Sequence, residues 1–387
     1  MTDILIVDDT QHSAELRHEI PVDILDTFLY AEVDGRRVAI VWSIEGDRIA
    51  AVDPSIDIVH SETFPVDDLV RDGVDIYAMA PTNVVRQVES LGLRSARVPG
   101  AFPLRFADAL RAAGIELVVD QRLFDDRRRQ KTPLELEGIR RASRAAAAGT
   151  AAIADLLARS EPGTDGRVVD GEPLTCEALR EAAIAVFAAA GCRGDDLVAA
   201  AGPQSAEGHA VGSGPVANDD VIVCDLFPQD IETGCFADMT RTFTVGTPDP
   251  EIVTWHAQTQ EALALCRGML RPGADGAALW RAVCSFYEEL GHPTAQSKPE
   301  GSVLREGFNH ALGHGVGLEV HEAPTLSKAG HELVAGDVIT LEPGLYRHGF
   351  GGVRLEDTVV VTDDGCETIT DFPYGLDPAA AVVETAR

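Results

Sequence analysis

Two aspartates, Asp225 and Asp238, lie in the segment VIVCDLFPQDIETGCFADMTRTF, each following residues that otherwise read as a buried strand. Strands disfavour Asp, and an ionised carboxylate in an apolar interior is costly unless a cation, a proton or a donor compensates it. On the period of two, Val221, Val223, Asp225 and Phe227 share one strand face, and Asp238, Thr240 and Thr242 share one face of the next. The short stretch between them predicts antiparallel neighbours whose carboxylates converge. A second pair follows the same logic. Glu342 lies in line with Val338 and Thr340, and Glu356 with Arg354, Thr358 and Val360, across a Gly-rich connection. Between the pairs, FNHALGHGVGLEVHEAP packs His310, His314 and His321 into twelve positions. Gly313, Gly315 and Gly317 alternate around His314, which suits a backbone that approaches another group closely.

Charge selects the compensating ion. Four carboxylates carry about −4, which two divalent cations cancel, and a neutral imidazole completes the coordination with room for a bridging hydroxide. Oxygen-rich ligation with one nitrogen favours Mn(II), with Co(II), Zn(II) or Fe(II) as the alternatives; no cysteine is required, which speaks against structural zinc. Rival motifs fail. His321-Glu322-Ala323-Pro324-Thr325 lacks the second histidine of a helical H-E-x-x-H, and Val211-Gly212-Ser213-Gly214 lacks the first glycine of a nucleophile elbow. The Gly315-Val316-Gly317 run does not have the dinucleotide-binding spacing.

The elements that must position these groups belong to a chain of 387 residues, 45% apolar, long enough for two domains. A formal charge of −31, with lysine only at 131, 298 and 328, excludes nucleic acid and anionic membrane surfaces as natural partners. Seven scattered cysteines with no C-x-x-C, no signal peptide and no apolar run of membrane-spanning length predict a soluble cytoplasmic protein. Residues 1–127 read as a small α/β unit, with FLYAEV and RRVAIVW joined by the hairpin turn Asp34-Gly35 and GIELVVD as a last buried strand. The charged run DDRRRQ reads as a linker. A second domain, 128–387, begins at Thr132-Pro133-Leu134-Glu135, a capping box ahead of a helix with the buried stripe Ile139, Ala142, Ala146, Ile153 and Leu157. Glu161-Pro162-Gly163-Thr164-Asp165-Gly166 recurs as Arg271-Pro272-Gly273-Ala274-Asp275-Gly276, each expected to precede a helix that ends at Gly191 or Gly291, which indicates a duplicated half-domain.

The combination D-L-F-P…F-A-D-M-T-R-T, G-H-G-V-G-L-E-V-H-E-A-P, L-E-P-G-L-Y and G-G-V-R-L-E-D-T resembles the pita-bread metallopeptidases, in the Xaa-Pro branch that holds prolidase and aminopeptidase P. The resemblance covers essentially the whole chain. It implies an α/β (α+β) pita-bread catalytic domain with pseudo-twofold internal duplication, preceded by a creatinase-type N-terminal domain, and a homodimer acting on proline-containing peptides or dipeptides. By the same resemblance Asp225, Asp238, His314, Glu342 and Glu356 hold two divalent ions, with Asp238 and Glu356 bridging. Glu342 then carries the proton from nucleophile to leaving nitrogen, and His310 and His321 stabilise the oxyanion or donate to the proline nitrogen. His209 matches another substrate-side histidine, and Arg354 is expected to orient Glu356. Between Asp225 and Asp238 lie two more residues than the family pattern has. The stretch Pro324-Thr325-Leu326-Ser327 lacks the arginine expected there in a strict dipeptidase. Two competing readings are a different metal-dependent hydrolase or lyase on this scaffold and a non-catalytic peptide-binding relative, whose hallmark would be lost ligands.

Overall fold

The computed structural model describes residues 3–385 except 195 and 209. Contacts divide it into two compact units, Met1–Arg128 and Arg129–Arg387. In the first, β1 (Ile4–Asp8), β2 (Phe28–Val33), β3 (Arg36–Val41), β4 (Asp57–His60), β5 (Ser95–Val98) and β6 (Glu116–Val119) form one sheet in the order β4-β3-β2-β1-β5-β6. β2 runs antiparallel to β1 and β3, and the remaining pairs are parallel. The central strands β1, β2 and β3 read as near-continuous apolar runs because both faces are covered, whereas the edge strands β4 and β6 are mostly half-buried or exposed. The segment expected as a last buried strand buries only Leu117 of Glu116–Val119, since an edge strand has a neighbour on one side alone. Leu5, Val7, Leu29 and Ile40 pack on one side with Val84 and Val88 of α1 (Ile76–Ser90) and Phe106 and Leu110 of α2 (Leu104–Ala112). Ile4, Ile6, Tyr30 and Val41 pack on the other with Leu16, Ile49 and Phe124. Asp34 and Gly35 both have positive φ (51° and 81°), as a two-residue hairpin between twisted strands requires.

The charged stretch expected as a linker is instead helical, α3 (Gln121–Arg129). Phe124 is buried in the core, and Arg127 pairs with Glu19 and Glu32, both at 2.6 Å. Long-range ion pairs and one aromatic anchor, none of them visible in local composition, order the segment.

In the second unit, Thr132 caps α4 (Pro133–Arg159) through the full capping box with Glu135, and the stripe from Ile139 to Leu157 is buried as expected. Gly149 lets α4 lie close to α5 (Cys176–Ala189) and to a strand beneath. A β-carbon there would come within 2.6 Å of the Phe187 ring and 3.2 Å of Leu226. β7 (Val198–Ala201), β8 (Asp220–Leu226) and β9 (Met239–Val245) form an antiparallel sheet in that order. After α6 (Pro250–Met269) and α7 (Gly276–Glu289) the pattern repeats. β10 (Gly313–Gly315), β12 (Val338–Leu341) and β15 (Asp357–Val361) are antiparallel neighbours in a five-stranded sheet flanked by β11 (Glu322–Leu326) and β16 (Cys366–Thr368). A hairpin of β13 (Gly344–Arg347) and β14 (Gly351–Arg354) is inserted between β12 and β15.

The two helix–helix–sheet halves correspond, and α5 and α7 are each followed by a positive-φ glycine, Gly191 (73°) and Gly291 (91°). One detail of the expected repeat differs. Asp275 caps α7 directly, whereas the first copy leads into three short strands before Thr175 caps α5.

Buried threonines join the halves along a seam between β9 and the β14–β15 segment. Thr358 Oγ1 donates to Asp238 O (2.7 Å), Thr242 Oγ1 donates to Arg354 O (2.9 Å), and Glu356 N–H donates to Thr240 O (3.0 Å). Arg241, 1% exposed, locks the seam from behind. It donates to the carbonyls of Thr240, Glu356, Phe372 and Pro373 and to Asp357 Oδ1 at 3.0 Å.

Arg241→Met would take one of two guanidinium partners from the buried Asp357, which keeps Arg267 and the Tyr374 hydroxyl. It would also strip the donor from four backbone carbonyls, so it should cost about 3–5 kcal/mol. Urea unfolding measures this, and the R241M/D357N double variant should recover part of the loss; strictly additive losses would show that the two do not act as a pair.

Candidate metal centre

Strand ends place the acids. Asp225 is the penultimate residue of β8 and lies opposite Thr240 of β9. Asp238 immediately precedes β9, Glu342 immediately follows β12, and Glu356 immediately precedes β15. Each half therefore contributes one acid where a strand ends and one where its antiparallel neighbour begins. His314 sits in β10, and here the glycines have a reason. A β-carbon on Gly313 would come within 2.0 Å of Thr340 O, and one on Gly315 within 2.2 Å of Ala323 O. Only glycine admits strands this close around the histidine.

These groups converge. Ligand atoms of Asp238, His314 and Glu356 all lie within 4.8 Å of one another. His314 Nε2 is 3.8 Å from Asp238 Oδ2 and 3.7 Å from Glu342 Oε1. The other ring nitrogen, Nδ1, is 3.1 Å from Gly315 O, and because a carbonyl only accepts, it carries the hydrogen. Nε2 of the neutral ring therefore turns a lone pair toward two carboxylates. Burial, with His321 as the next contribution, lowers the His314 pKa to about 4.

The same crowding acts on the acids in the opposite sense. Burial, reinforced by Asp225, pushes Glu356 up to about 8. Burial and then Glu356 raise both Asp238 and Glu342 well above the usual carboxylate range. Asp225 Oδ1 and Asp238 Oδ1 are buried without a hydrogen-bond partner. Oxygen donors without partners, carboxylates kept apart by repulsion and an imidazole lone pair aimed between them fit hard or borderline divalent cations.

Arg354 behaves differently from the expectation that it orients Glu356 directly. Its Nη2 donates to Asp225 Oδ2, and its Nε donates to Thr240 Oγ1 (3.0 Å). Thr240 passes the contact on, donating to Glu356 Oε2 at 2.7 Å. One guanidinium thus fixes acids from both halves, one by contact and one through a hydroxyl. Tyr346, which the sequence reading did not single out, joins this network. Its Oη lies 3.0 Å from His310 Nε2 and 3.5 Å from Arg354 Nη1, and burial pushes its pKa up to about 12. Glu342, Gly344 and Tyr346 alternate in L-E-P-G-L-Y, so the period of two was the signal that could have found it.

His310 Nδ1 is 2.6 Å from Ala311 O and 3.8 Å from Glu342 Oε2. His321 is exposed, with its ring against that of His314 at 4.2 Å between centroids. Beside it, a buried pair of Lys131 Nζ and Glu322 Oε1 (2.6 Å) secures the first residue of β11. His209 lies outside the described residues. All seven cysteines are free, and none is among the clustered groups.

Comparison with known proteins places the chain in a family and a fold. The model of metallopeptidase family M24 matches residues 137–363. The probable dipeptidase PepE of Mycobacterium tuberculosis is 28% identical over 282 residues, 72% of this chain and 68% of that protein. The Xaa-Pro dipeptidase of Pyrococcus horikoshii is 34% identical over 177 residues, 45% of this chain and 46% of that one. The crystal structure of an X-Pro aminopeptidase from Thermotoga maritima superposes with a TM-score of 0.75 at 21% identity, covering 97% of each chain, so the fold is shared along nearly the whole length.

The Glu356 shift sets a pH dependence for the metal-free protein. The folded state keeps a proton up to about pH 8, whereas the unfolded chain loses it near the ordinary value of 4.5, so stability falls as pH rises across that window. Melting temperatures in chelator should decline from pH 5 to pH 8, and Glu356→Gln should flatten the decline. An unchanged slope in the variant would separate Glu356 from the effect.

Proposed function

This chain is a member of metallopeptidase family M24, and from that premise we propose that it hydrolyses Xaa-Pro peptide bonds in proline-containing peptides. The observation that carries the reading is the buried convergence of Asp238, His314 and Glu356, with Glu342 at 3.7 Å from the histidine. Relatives named for Xaa-Pro cleavage support the substrate class. In this reading Asp225, Asp238, His314, Glu342 and Glu356 hold two divalent cations, Mn(II) foremost. Such ions, when bound, polarise a carbonyl and lower the pKa of water so that hydroxide is available near neutral pH.

The protein's own groups then handle protons and orientation. Glu342, raised by burial, takes the proton of the nucleophile and delivers it to the departing proline nitrogen. His310 Nδ1, 3.8 Å from Glu342 Oε2, lies where it adjusts the basicity of that carboxyl. Tyr346 O–H donates to His310 Nε2 while Arg354 donates to Tyr346 Oη, which fixes the imidazole tautomer. Exposed beside His314, His321 meets the substrate carbonyl and stabilises the developing oxyanion. Arg354 holds Asp225, and through Thr240 holds Glu356, against the pull of bound cations. His209 is assigned to the substrate side by resemblance alone. A cytoplasmic homodimer is part of the proposal, and the seven free cysteines suit a reducing compartment.

The experiment is hydrolysis of Xaa-Pro dipeptides and Xaa-Pro-Yaa tripeptides by protein stripped of metal and reloaded with Mn(II), Co(II), Zn(II) or Fe(II). With no arginine in 324–327 to hold a free proline carboxylate, tripeptides should show the higher kcat/KM. Failure of every substrate with every metal removes the peptidase reading. Asp238→Ala should abolish activity and metal retention while circular dichroism stays unchanged; an active variant that still binds two ions would take Asp238 out of the ligand set.

A further inference from the structure

The first unit holds a cavity of about 450 Å3 that shares no residue with the carboxylate cluster. It opens at the carboxyl ends of the parallel strands β1, β3 and β4, beside Val7, Val41 and Glu62, and is roofed by α1 and α2. In open α/β sheets the crevice outside the carboxyl ends of the strands is where ligands bind, because the connections diverge there and leave backbone and side chains facing inward. Its size falls within the range of small-molecule pockets. The interior is apolar, with Val7, Phe28, Val84 and Phe106 each 8% exposed or less.

The lining also holds polar residues, Thr27, Ser61 and Gln87 among them, and includes groups of complementary kinds. Asn83 Oδ1, on the α1 face that lines the cavity, is buried with no hydrogen-bond partner. Such an acceptor costs stability unless something donates to it. Asp67 adds a carboxylate to the lining, and Glu62 is already engaged by Ser43 Oγ at 2.6 Å. Arg105 supplies a cation, its guanidinium stacked 4.5 Å over the Phe106 ring. Trp42, 53% exposed, stands at the rim.

An apolar chamber lined by a buried acceptor, an exposed cation and an exposed carboxylate matches a zwitterion with an apolar tail. We propose that this cavity binds a free apolar or aromatic α-amino acid. Its ammonium is held by Asn83 Oδ1 and Asp67, its carboxylate by Arg105, and its side chain lies among Val7, Phe28 and Phe106. The site stands independently of the peptidase reading.

Trp42 reports on the site, since Trp255 and Trp280 are buried in the other unit. Titration of the full-length protein with L-phenylalanine or L-leucine should give a saturable change in tryptophan emission that disappears in Trp42→Phe. L-phenylalaninamide and 3-phenylpropionate, each lacking one charge, should bind about tenfold or more weakly, as should L-phenylalanine to Arg105→Gln. Asn83→Leu should weaken binding comparably while leaving the melting temperature equal or higher, because the unsatisfied acceptor is gone. The proposal is overturned by the absence of a saturable response to either amino acid, by a response that persists in Trp42→Phe, or by equal affinity for the singly charged analogues. It is equally overturned if Asn83→Leu melts lower, which would show that the amide is satisfied within the fold.

Discussion

Mutual repulsion among buried carboxylates is the constraint around which the second unit is organised. Asp225, Asp238, Glu342 and Glu356 are withdrawn from water and brought toward one another, and three of them are driven to hold protons well above the ordinary carboxylate range. A sequence free to relieve that cost would replace them with apolar residues. The surrounding structure instead resists the repulsion from outside the cluster. Arg354 pairs with Asp225, Thr240 with Glu356, and Arg241 clamps the backbone carbonyls of Thr240 and Glu356 while pairing with Asp357. These supports orient the acids and leave Asp225 Oδ1 and Asp238 Oδ1 without a hydrogen-bond partner, as oriented ligands for a cation would be.

Duplication explains how so many acids reach one place with so little chain. A strand that ends in an acid, and an antiparallel neighbour that begins just after one, brings two carboxylates together with no further device. Repeating the unit and joining the halves at the threonine seam brings the two pairs together. Thr240, Thr242 and Thr358 suit this seam because a β-branched residue keeps strand geometry while its hydroxyl reaches across. The loop between β8 and β9, two residues longer than the resembling pattern, does not disturb the register, which runs unbroken from Asp220↔Val245 to Leu226↔Met239.

Much of this was legible because strand periodicity is a local property. The position of each acid at a strand end, the antiparallel pairing, the capping box at Thr132 and the Asp34-Gly35 turn all follow from neighbouring residues, and the structure has them. What escaped depends on partners far along the chain. Arg354 stands two positions before Glu356, and a single strand through both suggested that pairing; the strand instead breaks at Leu355-Glu356, and the charge that Arg354 contacts is Asp225, on the other half. Tyr346 carries no chemical signal of its own in the sequence; its place in the network depends on His310 and Arg354 meeting at its hydroxyl. The run 125–130 reads as a linker because it is polar and charged throughout, while the partners that anchor it, Glu19 and Glu32, pair with Arg127 from roughly a hundred residues away.

The halves differ where the chemistry must be directional. β10 carries His314 between two glycines, whereas its counterpart β7 is the apolar Val198–Ala201. Two positions before Glu356 stands Arg354; two positions before Asp238 stands Phe236. The acids are therefore shared equally between the halves, but among the described residues the imidazoles beside them and the guanidinium on their carboxylates come from the second half: His310, His314, His321 and Arg354. Arg241 of the first half reaches the backbone carbonyl of Glu356 and the carboxylate of Asp357. A symmetric cage would offer a substrate two equivalent approaches. In the proposed reaction, the groups assigned to proton transfer and oxyanion stabilisation among the described residues thus come from the second half, while its guanidinium is committed to Asp225 in the first.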